Sequence, residues 1–254
     1  MTRSITYTAL PDIPLVQPGD DLVQIIADGT IRAGIEVIAG DVLILAQKIV
    51  SKSENRYVYL DNVTPSARAL ELAKTVGKDP RHIEVVLSES TQVVRTRRNV
   101  MIVAHRLGFV MANAGIDESN IEQSQGHRVL LLPENPDASC EDLKAGLDRR
   151  FGVSVGVVVN DSFGRPWRNG VVGVALGSAG IPSLQSLIGV HDLFSRPMQV
   201  TETAIADELA AAASLVMGQG AEAQPIVHVR GFSSSAPMNA ASALVRPREQ
   251  DLFR

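Results

Sequence analysis

Residues 136–170 read PDASCEDLKAGLDRRFGVSVGVVVNDSFGRPWRNG. The first half has helical character: Ser139 stands three residues before Asp142 in the manner of a capping box, and Leu143 and Leu147 lie one turn apart. A run of small and β-branched residues, VSVGVVV, follows and ends at Val159. It predicts a buried strand. The chain then turns sharply polar. The segment 160–170 carries one carboxylate, two arginines, two asparagines, a serine and the only tryptophan. Helix, buried strand, then a polar loop is the order in which α/β proteins place ligands outside the carboxyl ends of their strands.

Outward from this stretch the alternation continues. DVLILAQKIV (41–50) reads as a nearly continuous apolar strand, SKSEN as a turn carrying Lys52, and RYVYL as a second strand. Thr64-Pro65 reads as the start of a helix whose face holds Leu70, Ala73 and Val76 and which ends at Gly77 and Pro80, before a short helix from His82 to Ser90. Strands are predicted over 99–106, 108–115 and 129–133, and a last one at PIVHVRG (225–231). QVTETAIADELAAAASLVMG (199–218) is the strongest helical pattern, alanine-rich and closed by Gly218. VVGVALGSAG holds too much glycine to assign, and the tail from Phe232 shows little periodicity. The pattern predicts an α/β protein, and 254 residues fit either one large domain or a main domain with a smaller partner.

Composition narrows the function. A net charge of −4 without a basic, aromatic-interleaved stripe argues against nucleic acid and anionic lipid as partners. A single cysteine, Cys140, rules out an intrachain disulfide; the start of the chain has no apolar signal core, and no run approaches a membrane span, so a cytoplasmic protein is expected. Phosphate-loop, GxGxxG, GxSxG and HExxH signatures are absent, and His82, His105, His127, His191 and His228 are scattered without ligand spacing.

What remains is oxygen chemistry. NAGIDESN places Asp117 and Asn120, and NDSFGR places Asp161 and Ser162, just past apolar runs. Each aspartate has two readings. Asp117 either caps a short helix or holds a metal; Asp161 either closes an Asx-turn or does the same. If the two strand ends lie side by side, their hard oxygens suit Mg²⁺ or Mn²⁺ carrying the phosphates of a nucleotide. Lys48 and Lys52 straddle the end of the 41–50 strand, and Arg165 and Arg168 offer planar forks for carboxylate or phosphate. Trp167 reads as a partly buried anchor of its loop, with stacking on a ligand ring as the alternative.

QKIVSKSENR, NAGIDESN, LLLPENPDAS, NDSFGRPWRNGVVGVALGSAG, DELAAAASLVMG and the terminal DLFR together resemble the coenzyme F-420-0 γ-glutamyl ligase family, in order and along the whole chain. The resemblance implies a family-specific mixed α/β fold, with a main domain, a smaller subdomain and an intertwined homodimer. It implies a GTP-dependent ligase that joins L-glutamate to the terminal carboxylate of the deazaflavin coenzyme precursor, through an acyl phosphate and with Mg²⁺ or Mn²⁺, stimulated in some members by K⁺. Further γ-linked glutamates follow in some members, and the flavin-binding domain that bacterial relatives carry is not expected here. By matching position, Thr8, Ala9, Leu10, Pro11, Gln47, Lys48, Lys52, Asn120, Met217, Gly218 and Gly220 would lie along the nucleotide. Asp117, Asp161 and Ser162 would hold metal, as would Gln219 where a relative can have glutamate. Asp161, Lys52 and Arg165 would carry the reaction.

Overall fold

The structure is a computed structural model, which describes residues 3–124 and 126–252. The last two residues of DLFR lie outside that range. After β1 (Thr6–Ala9), helix α1 (Leu22–Arg32) starts at Asp21, whose side chain accepts the Gln24 amide as an N-cap. Strand β2 (Val42–Ala46) is buried on both faces, and α2 (Gln47–Ser53) follows without a break. The sequence reading of 47–50 as strand and 51–55 as turn is thus corrected. A short apolar run fits strand and helix equally. Here Gln47, Ile49, Val50 and Ser51 are buried together by one helical turn.

Strand β3 (Tyr57–Tyr59) leads to α3 (Ala67–Val76) and α4 (Pro80–Ser88). The cap of α3 is Ser66, accepting from the Ala69 amide, rather than Thr64-Pro65, because a hydroxyl satisfies a free helix N–H that proline only avoids. Its buried face is Ala69, Leu72 and Val76, while Leu70 is exposed. Gly77 closes it in the left-handed conformation. Strand β4 (Ser90–Arg97), which its polar composition concealed, pairs with β5 (Val100–His105), and β5 with β6 (Val110–Ala112). Helices α3 and α4 pack on this three-stranded sheet through Val76, Ile83, Val86, Met101 and Val103. Strand β7 (Arg128–Leu130) returns beside β3.

Helix α5 (Pro136–Phe151) is capped by Asn135, with proline in its first turn, so Ser139 lies inside the helix. Ser139 donates to Glu54 instead of capping. Leu143 and Leu147 are buried as expected, beside Cys140, whose thiol burial holds well above its ordinary pKa. Strand β8 (Gly156–Arg165) continues through NDSFGR and turns at Pro166 and Trp167 into β9 (Arg168–Ala179). The segment read as a loop is therefore the outer half of a long hairpin. Paired backbone amides keep it extended where sequence polarity predicts a break. Trp167 sits at the tip, 80% exposed, and does not anchor a loop in the core.

Strands β10 (Gln185–Ser186) and β11 (Glu202–Thr203) form a small ribbon, helix α6 (Ile205–Met217) follows, and β12 (Ile226–Arg230) is the last strand among the described residues. The central sheet runs β1-β12-β2-β8-β9, with β2 and β8 parallel and the other pairs antiparallel. Leu43, Leu45, Val157, Val159 and Ile226 face α1 and α5; Val42, Ile44, Val158, Val227 and Val229 face α6. The fold is mixed α/β, with helices on both faces of the sheet. The glycines of β9 explain themselves here. A Cβ on Gly173 would stand 2.4 Å from the Ala210 carbonyl oxygen of α6, and one on Gly177 2.2 Å from that of Pro136 in α5. Both helices lie so close that only glycine admits them.

Candidate functional site

Ala46 and Asn160 are register partners at the carboxyl ends of the parallel strands β2 and β8. A cleft of about 700 Å³ opens there. Its walls come from four parts of the chain: α2 with Gln47, Lys48 and Lys52; the segment 117–122; Asn160, Asp161 and Ser162 of β8; and the turn 217–225 after α6. Residues 13–16 close one side with apolar surface, including the exposed Leu15.

Local folding sets each group. Lys48 and Lys52 are four residues apart on one helix, hence on one side of it. Asp117 is fixed by two backbone hydrogen bonds to Leu130 of β7, its amide donating to the Leu130 carbonyl and the Leu130 amide to its own carbonyl, each at 2.9 Å. Its carboxylate accepts Gln47 Nε2 and lies 2.7 Å from Lys48 Nζ. Ser51 in turn donates to Gln47 Oε1, which sets the amide so that its NH₂ points at Asp117. Lys52 Nζ donates to the Asn120 carbonyl at 2.8 Å, and Asn120 Nδ2 to the Gly220 carbonyl at 3.3 Å.

Asp161 extends from β8 toward the same space. Burial, and then the neighbouring Asp117 charge, raise its pKa to about 7, against the opposing pull of Lys48 and of the Ser162 amide. A carboxyl that is buried and faces a second carboxylate holds its proton more tightly, and a bound cation would relieve that. Lys52 has its pKa lowered, first by burial and then by Lys48 and Arg128, so cations crowd the other wall. Beside Asp161, the buried Asn160 donates to Ser214 while its Oδ1 has no partner among the described residues. The two carboxylates, the Ser162 hydroxyl and this unpaired amide oxygen are hard donors. With two carboxylates rather than a full protein cage, the set fits a Mg²⁺-like ion that keeps water and phosphate ligands.

The structure brings Gln47, Lys48, Lys52, Asp117, Asn120, Asp161, Ser162, Met217, Gly218, Gln219 and Gly220 to one cleft. It does not bring all the residues singled out from sequence. Thr8 and Ala9 pair with β12, Leu10 is wholly buried in the core, and the chain lines the cleft only from Ile13, two residues beyond Pro11. Arg165 is outside the lining, in register with Arg168 across the hairpin, with its Nη1 buried and unpartnered among the described residues. Glu222 lies in the stretch MGQGAEAQ (217–224), which the family resemblance assigns to nucleotide and metal, but was not singled out within it. It lines the cleft and accepts the Gly220 amide at 2.7 Å.

A cleft with acidic and basic walls at the carboxyl ends of parallel strands defines the class, an α/β protein with a polar ligand site at a strand crossover. The family model described as F420-0:Gamma-glutamyl ligase matches residues 12–231. Among similar proteins, the Coenzyme F420:L-glutamate ligase of Methanothermobacter thermautotrophicus is 40% identical over 98% of this chain and 99% of its own. Those of Methanocaldococcus jannaschii and Methanopyrus kandleri are 39% and 43% identical, over 96% and 94% of this chain and 94% and 93% of theirs. The chain belongs to the F420-0:Gamma-glutamyl ligase family.

Proposed function

We propose that this chain is a ligase that forms an amide between the amine of L-glutamate and the terminal carboxylate of the deazaflavin coenzyme precursor, with GTP as the activating co-substrate. Family membership supports the ligation. The observation that carries the chemistry is the meeting of Asp117 and Asp161 with Lys48 and Lys52 in one cleft.

The acceptor carboxylate attacks the γ-phosphorus, the bond to the β-phosphate oxygen breaks, and GDP leaves with that electron pair. The amine of glutamate then attacks the acyl carbon, the amine proton is lost, and inorganic phosphate departs. Two anions must meet in the first step, and Lys48 and Lys52 offset that repulsion. Asp117, Asp161 and Ser162 would hold Mg²⁺ or Mn²⁺, which when bound supplies charge neutralisation at the phosphates. Gln219 and Glu222 also line the cleft and would be the side chains to hold a second ion or K⁺. Arg165 and Arg168, cations in register without a carboxylate between them, suit an anionic portion of substrate.

The working unit in this reading is a homodimer. The 188–200 segment between β10 and β11 exposes Ile188, Val190, Leu193, Phe194 and Val200, with Leu193 98% and Phe194 83% exposed. Large apolar side chains exposed at this density along one short segment suit cover by a second copy of the chain.

Purified protein with GTP, Mg²⁺, L-glutamate and the precursor should give GDP, phosphate and a product one glutamyl unit heavier, read by mass spectrometry. GDP release without a glutamylated product would reduce the chain to a nucleotide hydrolase. Glutamylation of another carboxylate in preference to the deazaflavin would move it to a different acceptor.

A further inference from the structure

Arg128 opens β7 and is 5% exposed. Among the described residues it makes no ion pair. Its guanidinium carbon lies 4.1 Å from the centre of the Tyr57 ring and 5.9 Å from that of Tyr59, and Nη1 is 3.4 Å from the Tyr59 hydroxyl. Burying an arginine against ring faces keeps its charge supported without neutralising it. Its Nε donates to the Glu122 carbonyl at 3.0 Å. Gln123 returns the grip: its Nε2 donates to the Arg128 carbonyl and its Oε1 accepts the Arg128 amide, both at 2.9 Å.

Strand β7 thus holds both ends of one cleft wall. Leu130, its last residue, holds Asp117 through the backbone, and Arg128, its first, holds Glu122 and Gln123. Between these anchors the wall is tied to α2 by Gln47 and Lys48, both on the Asp117 carboxylate, and by Lys52 on the Asn120 carbonyl, so at Asn120 a lysine is the tie to α2. Those two lysines are the cations that phosphate would draw away.

We infer that Arg128 is a positioning residue that keeps the 119–123 wall in place when Lys48 and Lys52 turn from Asp117 and Asn120 to the phosphates of the nucleotide. The inference rests on the nucleotide reading of the cleft. Arg128 acts through the wall, and only residues 119–122 of that wall line the cleft.

The test uses the full chain and its Arg128→Met, Arg128→Lys and Gln123→Ala variants. Binding of a non-hydrolysable GTP analogue is measured by calorimetry, and amide exchange of residues 117–124 with and without the analogue. Arg128→Met should weaken nucleotide binding at least tenfold, leave the KM for glutamate within twofold, and leave the wall exchanging at least tenfold faster than wild type in the bound state. Arg128→Lys, which keeps a cation over Tyr57 but loses the planar fork, should fall between. Gln123→Ala should shift both readouts in the same direction and serves if the methionine variant does not fold. Wild-type affinity with unchanged exchange in the variants, or a fall in kcat with unchanged nucleotide affinity, would overturn the role. Absence of nucleotide binding by the wild-type chain would instead overturn the reading of the cleft.

Discussion

Replacing Asp161 by Asn should make the metal-free protein more stable at neutral pH while ending turnover. The carboxylate is enclosed at the cleft wall and faces Asp117, which together displace its pKa from 3.8 to about 7. A group that binds its proton more tightly when folded contributes stability that is complete below about pH 4, where both states are protonated. That contribution is lost as pH rises to about 7, because the unfolded chain has already released its proton. The displacement corresponds to about 4 kcal/mol at full ionisation. Water in the open cleft and local relaxation reduce the gain on removing the charge to about 2–3 kcal/mol. Asparagine keeps the volume and can still accept the Ser162 amide as Asp161 Oδ1 does at 2.8 Å. Urea denaturation in EDTA would then show the variant ahead at pH 8, with the difference shrinking toward zero by pH 4. Glutamyl transfer by the variant in saturating Mg²⁺ should be lost. A variant less stable than wild type at pH 8, or a difference independent of pH, would refute the electrostatic account, and retained turnover would return Asp161 to a structural role.

Other outcomes follow from separate parts of the molecule. Lys52→Ala should raise the KM for GTP at least tenfold with a smaller effect on the KM for glutamate, in steady-state assays that vary each substrate. Asp41 is 2% exposed and accepts His228 Nε2 and Arg230 Nη2, both at 2.7 Å. Burial pushes its pKa up, but the hydrogen bonds from Arg230, His228 and the Ile38 amide outweigh this and hold it below the ordinary value. Its stabilisation is therefore present above about pH 4 and lost as pH falls further. Asp41→Asn should cost about 2–4 kcal/mol at pH 7 and less at pH 3, by urea denaturation. Gly177→Ala forces a methyl against the backbone of α5 and should destabilise by about 1–3 kcal/mol or prevent folding, read as a lowered melting temperature.

The strands buried on both faces, VLILA and GVVV, are legible from sequence, because a continuous apolar run of that length has few other places to go. Sequence also located α5 and α6, and its motifs supplied most of the polar residues that the cleft gathers, though not Glu222, while Thr8 to Pro11 and Arg165 fall outside the lining. Helix α2 was not legible, since KIV fits strand and helix alike until burial against the core selects one. The outer half of β8 was hidden for the opposite reason. Its residues are polar, and only pairing with β9 holds them extended. The glycines of β9 became intelligible once two helices were seen to rest on them. Nor does spacing along the chain bring Asp117 to Asp161. That meeting depends on β7 fixing one aspartate through backbone hydrogen bonds while the central sheet projects the other, and long-range pairing of this kind is written in no local pattern.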